Sequence, residues 1–160
     1  MLLVDTYIGP SNIQEIGLFA AENIKKGAPI WEFNPNTTQV FWKKQFLSIC
    51  SNMSLPAILE FINHSYIKDG NVYYLNDRTK FINHSVDPSI AFKNSKLEIA
   101  IKNIKKGEEI TENYALSYDK SDFFNWDLAE KISSKEVLVN FLSKQLTKIN
   151  LPQQGFLVNF

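Results

Sequence analysis

Two polar blocks, one on each side of a strand-like segment, constrain this chain more than anything else in it. The first reads Lys80-Phe81-Ile82-Asn83-His84-Ser85-Val86-Asp87-Pro88-Ser89, and the second Gly107-Glu108-Glu109-Ile110-Thr111-Glu112-Asn113-Tyr114. Asn-His-Ser before Asp-Pro is turn chemistry, because short polar side chains bond nearby backbone and proline fixes φ. Gly107 can take the positive φ of a tight turn, and a strand ending at Tyr114 follows naturally from it.

The same arrangement occurs near the start. Short apolar runs broken by Gly and Pro from Leu2 to Phe33 suggest strands and turns. Asn23-Ile24-Lys25-Lys26-Gly27-Ala28-Pro29-Ile30 is echoed by Asn103-Ile104-Lys105-Lys106-Gly107-Glu108-Glu109-Ile110. Each reads as strand, glycine turn, strand; two copies make two similar turns, not a repeat architecture.

With 160 residues and a 44% hydrophobic fraction, the expectation is one soluble domain with a real core. Basic and acidic residues number 17 each, without a long single-sign run. That disfavours a nucleic-acid binder, and Lys25-Lys26, Lys43-Lys44 and Lys105-Lys106 read as solvated turns. Cys50 is the only cysteine, which excludes an intramolecular disulfide or a cysteine-rich zinc cluster, so no metal is expected. Met1 to Asp5 is too soon charged for a signal peptide, and no apolar run approaches spanning length. The corresponding expectation is a cytoplasmic protein with no membrane partner.

Residues 42–64 switch to helical spacing, with Ser54 able to cap, Pro56 in a first turn, and Leu55, Ile58, Leu59 and Ile62 on one face. Phe61-Ile62-Asn63-His64-Ser65 then repeats the letters of 81–85. Context separates the copies. The first ends an amphipathic helix, so His64 is structural; the second follows the alternating Asn71 to Asn76 and precedes Asp87-Pro88. After Tyr114, a helix is expected near Ser121 with Phe123, Phe124 and Trp126. Another is expected after a Ser133–Glu136 capping box, burying Leu138, Phe141, Leu142, Gln145 and Ile149. The apolar tail Gly155 to Phe160 suits an edge strand or a docking segment, and this C-terminal helix or tail is the candidate for self-association.

Taken together, these blocks resemble the signature of the SET-domain protein-lysine methyltransferases: R-F-I-N-H-S-C-x-P-N, then G-E-E-L/I-x-x-x-Y ending in the catalytic tyrosine. Ile16-Gly17-Leu18-Phe19-Ala20, then Ile24 to Gly27, matches the family's opening motif. Three blocks in order are far more specific than any one. The resemblance implies an α+β, strand-rich fold, with small curved sheets around a pseudoknot-like threaded segment. A SET domain over residues 3–116 would carry the helical insert at 42–64, with a C-terminal helical extension over 117–160. It also implies an enzyme that takes S-adenosylmethionine as cofactor and a protein lysine as substrate. Glu15 stands where the first glycine is usual, Lys80 replaces arginine, Val86 cysteine, and Ser89 asparagine. A cofactor-poor module that binds a peptide is the alternative reading, and a purely structural assembly protein a third.

On that template Tyr114 is the catalytic residue, its ring placed to orient methyl and amine. Ile16, Gly17, Leu18, Phe19, Lys80, Phe81, Asn83 and His84 are the cofactor-binding candidates. One of Phe123, Phe124 and Trp126 is expected to cover the adenine face, with Phe124 and Trp126 the cofactor-binding candidates. Trp31, Tyr73 and Tyr74 (and Phe33) are candidates for the lysine channel, with strand alternation sending only one of the two tyrosines inward.

Overall fold

A computed structural model describes residues 1–118 and 126–147, with residues 126 and 127 described by their backbone alone. In chain order come strands β1 (Thr6–Pro10), β2 (Ile16–Ala20), β3 (Pro29–Glu32) and β4 (Thr38–Phe41), then helices α1 (Lys43–Asn52) and α2 (Leu55–Asn63). Strands β5 (Ser65–Lys68), β6 (Asn71–Leu75), β7 (Asn83–His84), β8 (Ile90–Asn94), β9 (Leu97–Ala100) and β10 (Thr111–Glu112) follow. Helices α3 (Tyr114–Ser117), α4 (Trp126–Ala129) and α5 (Lys135–Thr147) complete the order. The fold is therefore strand-rich α+β, as expected.

The chain divides into two compact units, residues 1–39 with 75–117 and residues 40–74 with 118–160. The first holds the β1–β2 hairpin and a five-stranded sheet in the order β3-β9-β8-β10-β7. Strand β10 runs parallel to both β7 and β8, while β8–β9 and β3–β9 are antiparallel. Alternate positions of these strands turn inward and bury Leu18, Ala20, Ile30, Ile82, Ile90, Ala100 and Ile110 with Ile24 and Ile104. Burying each isoleucine contributes roughly 1.5–3 kcal/mol, enough to fix the register of strands this short.

The echoed Asn–Gly units pair with each other. Ile24 and Ile104 exchange backbone hydrogen bonds of 2.8 and 2.9 Å, Asn103 Oδ1 accepts from Lys26 N–H, and Asn23 Oδ1 accepts from Lys106 N–H. Each asparagine thus satisfies the other's turn. Gly27 and Gly107 take φ of +89° and +87°, the conformation for which glycine was expected.

The second unit carries most of the sheet β4-β6-β5 and packs α1, α2 and α5 around Phe46, Ile58, Phe61, Ile62, Leu138, Leu142 and Leu146. Asp69 and Gly70 both have positive φ and close the β5–β6 hairpin, a two-residue Asp-Gly turn of the kind that matches strand twist. The helical stretch at 42–64 is two helices, broken where Met53 and Ser54 are extended. Ser54 stands at the N-cap of α2 but its side chain makes no cap bond, so that expectation fails in detail. The cap of α5 is Ser134, not Ser133: Ser134 Oγ contacts Glu136 at 2.8 Å and accepts from Val137 N–H at 3.5 Å. One residue's shift preserves the buried face at Leu138 and Leu142, leaves Phe141 half-buried, and adds Leu146. Burial pushes the Cys50 thiol up to about 12, so it behaves as a small core hydrophobe. No helix among the described residues is long and apolar enough to cross a membrane.

Candidate cofactor site

The site grows from the parallel pairing of β7 with β10, which sets Asn83 beside Thr111 and His84 beside Glu112. Two-residue strands need further anchorage. Ser89, buried, supplies it: its Oγ accepts from Thr111 N–H at 2.8 Å and donates to Thr111 O at 3.3 Å. Ser89 N–H also donates to Thr111 O, and Ser85 N–H to Glu112 O, both at 2.9 Å. The departure from asparagine at Ser89 is thus filled by a hydroxyl that clamps β10.

Asn83 is 8% exposed and turns its amide into the loop before β2. Its Nδ2, with two hydrogens to give, lies within hydrogen-bond distance of four acceptors: Glu109 Oε1 at 2.8 Å, Ile16 O at 3.1 Å, Ser11 Oγ at 3.2 Å and Gln14 O at 3.4 Å. Ser11 Oγ also donates to both Glu109 oxygens at 2.9 Å and accepts from Ile13 and Gln14 N–H. Gly17 is buried against the same carboxylate, where an added Cβ would lie 2.3 Å from Glu109 Oε1. A side chain at this position would have to displace the Glu109 carboxylate, so glycine is favoured there by contact rather than by φ. Glu15 is the converse case. Its φ is +37°, the left-handed region that favours glycine, so the loop's shape explains why glycine is usual at this position and what Glu15 works against.

Tyr114 does not end a strand; it opens α3, with Asn113 between it and β10. Its hydroxyl donates to Ile82 O, and its N–H donates to His84 Nδ1 at 3.2 Å. His84 is exposed, with its ring centroid 5.3 Å from that of Tyr114. Burial first, and the Glu112 charge second, raise the Tyr114 pKa well above the ordinary phenol value. The hydroxyl therefore stays protonated.

The other candidates divide. Ile16 is exposed, Leu18 is fully buried core, and Phe19 stacks on Tyr7 at 5.5 Å. Lys80 Nζ lies 5.3 Å from the centroid of its neighbour Phe81. Trp31, 2% exposed, packs edge-on to Phe92 and is a core residue of the first unit. In the second unit Tyr74 meets Phe61 at 4.7 Å, whereas Tyr73 stacks on Tyr66 at 5.2 Å and Tyr66 meets Tyr118 at 4.3 Å. Phe123, Phe124 and the Trp126 side chain lie outside the described residues, as does Ile149. Among the described residues no three His, Cys, Asp or Glu side chains gather as a metal site. Sequence reasoning did not single out Ser11, Glu109, Tyr66 or Tyr118. Glu109 at least sits in the Gly-Glu-Glu block; nothing local distinguishes Ser11.

A sequence model of the SET domain matches residues 15–115. Among solved structures, a histone methyltransferase candidate from Plasmodium falciparum is 22% identical, with a TM-score of 0.50 over 74% of this chain and 100% of that one. The Neurospora SET domain protein DIM-5, a histone lysine methyltransferase, is 17% identical, with a TM-score of 0.51 over 74% and 55%. An autoinhibited Polycomb Repressive Complex 2 from Chaetomium thermophilum, bound to S-adenosylmethionine, is 20% identical, with a TM-score of 0.56 over 80% of this chain and 17% of that one. At such identities the likeness is one of fold. No curated protein matches the chain.

Proposed function

The chain belongs to the SET-domain family, and from that premise we propose that it is a methyltransferase that uses S-adenosylmethionine to methylate a lysine side chain of a protein substrate. The observation that carries this reading is that Asn83 and His84, on the parallel β7–β10 pair, stand beside Tyr114 at the head of α3, with Asn83 against the loop that leads into β2. We take residues 3–116 as the portion responsible, with Tyr114 the catalytic residue.

The donors and acceptors fit the cofactor. Asn83 Oδ1 has no hydrogen-bond partner among the described residues, and no basic side chain pairs with the half-buried Glu109. An acceptor beside an uncompensated carboxylate suits a ligand carrying an ammonium group. When bound, S-adenosylmethionine supplies an electrophilic methyl on a cationic sulfur, whose charge also favours a neutral lysine amine nearby.

This chain's residues do the rest by position. The Tyr114 hydroxyl, held by its hydrogen bond to Ile82 O, is the group that orients the amine and the polarised methyl. The lysine nitrogen forms its bond to the methyl carbon as the carbon–sulfur bond breaks, and alignment supplies most of the acceleration. Ile16, Gly17 and the segment from Lys80 to His84 hold the cofactor. One of Phe123, Phe124 and Trp126 is our candidate for the adenine cover. Tyr73, with its stacked partners, is the candidate for the lysine stem; Tyr74 and Trp31 are packing residues.

The test is transfer of labelled methyl from S-adenosylmethionine into a proteome extract by exhaustively chelated protein, with the modified residue mapped. Methyl-lysine is expected; cofactor binding that appears only on adding zinc, or no transfer at all, would sink the reading. Glu15 favours a second one, since a strained cofactor loop suits a module that binds a peptide without methylating it. Calorimetry separates them: that module would show no S-adenosylmethionine heat.

A further inference from the structure

The methyltransferase reading gives Asn83 a cofactor to hold but leaves open what holds Asn83. A carboxamide can face either way, and the two ends have opposite chemistry. Here four oxygens surround Nδ2, from Glu109, Ser11 and the carbonyls of Gln14 and Ile16. With Nδ2 committed to the loop, Oδ1 is left as the outward acceptor. Glu109 makes the shortest of those bonds and also takes the Ser11 hydroxyl, so one carboxylate joins β7 to the Ser11–Gln14 turn and lies against Gly17.

We propose that Glu109 and Ser11 are positioning residues that lock the Asn83 carboxamide with Oδ1 facing the cofactor's amino-acid ammonium. Asn83 then accepts from that ammonium, and Glu109 acts through its hydrogen bond to Nδ2, which fixes the carboxamide and polarises it. The inference rests on the methyltransferase reading, yet the two fail differently.

Calorimetry tests it on the full chain with S-adenosylmethionine, S-adenosylhomocysteine and 5′-methylthioadenosine; the last lacks the amino-acid end. Glu109→Ala is expected to weaken S-adenosylhomocysteine about tenfold, the equivalent of one lost hydrogen bond to a charged group, while 5′-methylthioadenosine stays within about twofold. Asn83→Ala should do the same, and the Asn83→Ala/Glu109→Ala pair should be no worse than Asn83→Ala alone, because Glu109 acts through it. Ser11→Ala keeps the carboxylate and should give the same selective loss at about threefold, which serves if Glu109→Ala does not fold. Unchanged S-adenosylhomocysteine affinity in folded Glu109→Ala or Ser11→Ala overturns the inference. So do equal losses for the two nucleosides, or additive losses in the pair. Wild-type protein that ignores S-adenosylmethionine overturns the methyltransferase reading, and this one with it.

Discussion

Two residues show how far one side chain can be read from its letter. Tyr114 stands out in the sequence as a candidate because it ends a specific block, but its place at the head of α3 depends on β10 stopping two residues earlier, which spacing does not announce. Tyr114→Phe keeps the ring and leaves Ile82 O short of one donor, so stability should fall by only about 1 kcal/mol. The rate should fall on the order of 10²-fold, because the amine and methyl lose their common reference point. Single-turnover transfer at saturating cofactor, beside the thermal midpoint, checks both; a folded variant at wild-type rate would remove Tyr114 from the mechanism. Glu15 was legible only as a departure, and the reason for it is a backbone angle. At φ +37° a Cβ costs about 1–2 kcal/mol, against roughly 0.5–1 kcal/mol of added unfolded-state freedom for glycine. Glu15→Gly should therefore be neutral to about 1 kcal/mol stabilising, and Glu15→Ala should not share the gain. Urea midpoints decide it, and a Glu15→Gly protein less stable than Glu15→Ala would show that φ is not the cause.

Elements were legible where a pattern is local and obscure where a partner is remote. The glycine turns were readable as turns, yet that they cap one another was not, since Asn103 and Lys26 meet across 77 residues. Likewise the α5 helix and its apolar face were readable, while the choice between Ser133 and Ser134 as cap was decided by which register buries Leu138, Leu142 and Leu146. At Gly107 an added Cβ would meet nothing closer than the Tyr7 hydroxyl at 4.0 Å, so any penalty is conformational rather than steric. Gly107→Ala should cost about 1–2 kcal/mol, and Gly107→Asn clearly less, because asparagine tolerates the left-handed region. Equal costs for the two, measured by chemical denaturation, would mean that something other than φ makes glycine necessary in this turn.

For the whole molecule, the informative fact is that identical pentapeptides reach different units. Phe61 and Ile62 enter the core around Phe46 and Leu142, and Asn63 is left exposed at the end of α2 with His64 as its C-cap. Ile82 enters the other core, and Asn83 is buried against the Ser11 loop and Glu109. The letters do not choose; the flanks do. Leu55 to Leu59 continue a helical face into the first copy, whereas Asp87-Pro88 and the distant β10 make the second a strand and a turn. That much was legible, because both flanks are local; the four contacts of Asn83 were not, since they join residues up to 72 apart. The expected contrast is sharp. Asn63→Ala trims a solvated side chain and should change stability by less than about 0.5 kcal/mol and cofactor affinity not at all. Asn83→Ala removes a buried amide on which four acceptors depend, so it should cost about 1–3 kcal/mol of stability and at least tenfold in S-adenosylmethionine affinity. Thermal unfolding and calorimetry on the two variants, side by side, make the comparison. Equal effects on affinity in two folded proteins would mean that the choice between the copies is wrong or that neither asparagine contacts the cofactor.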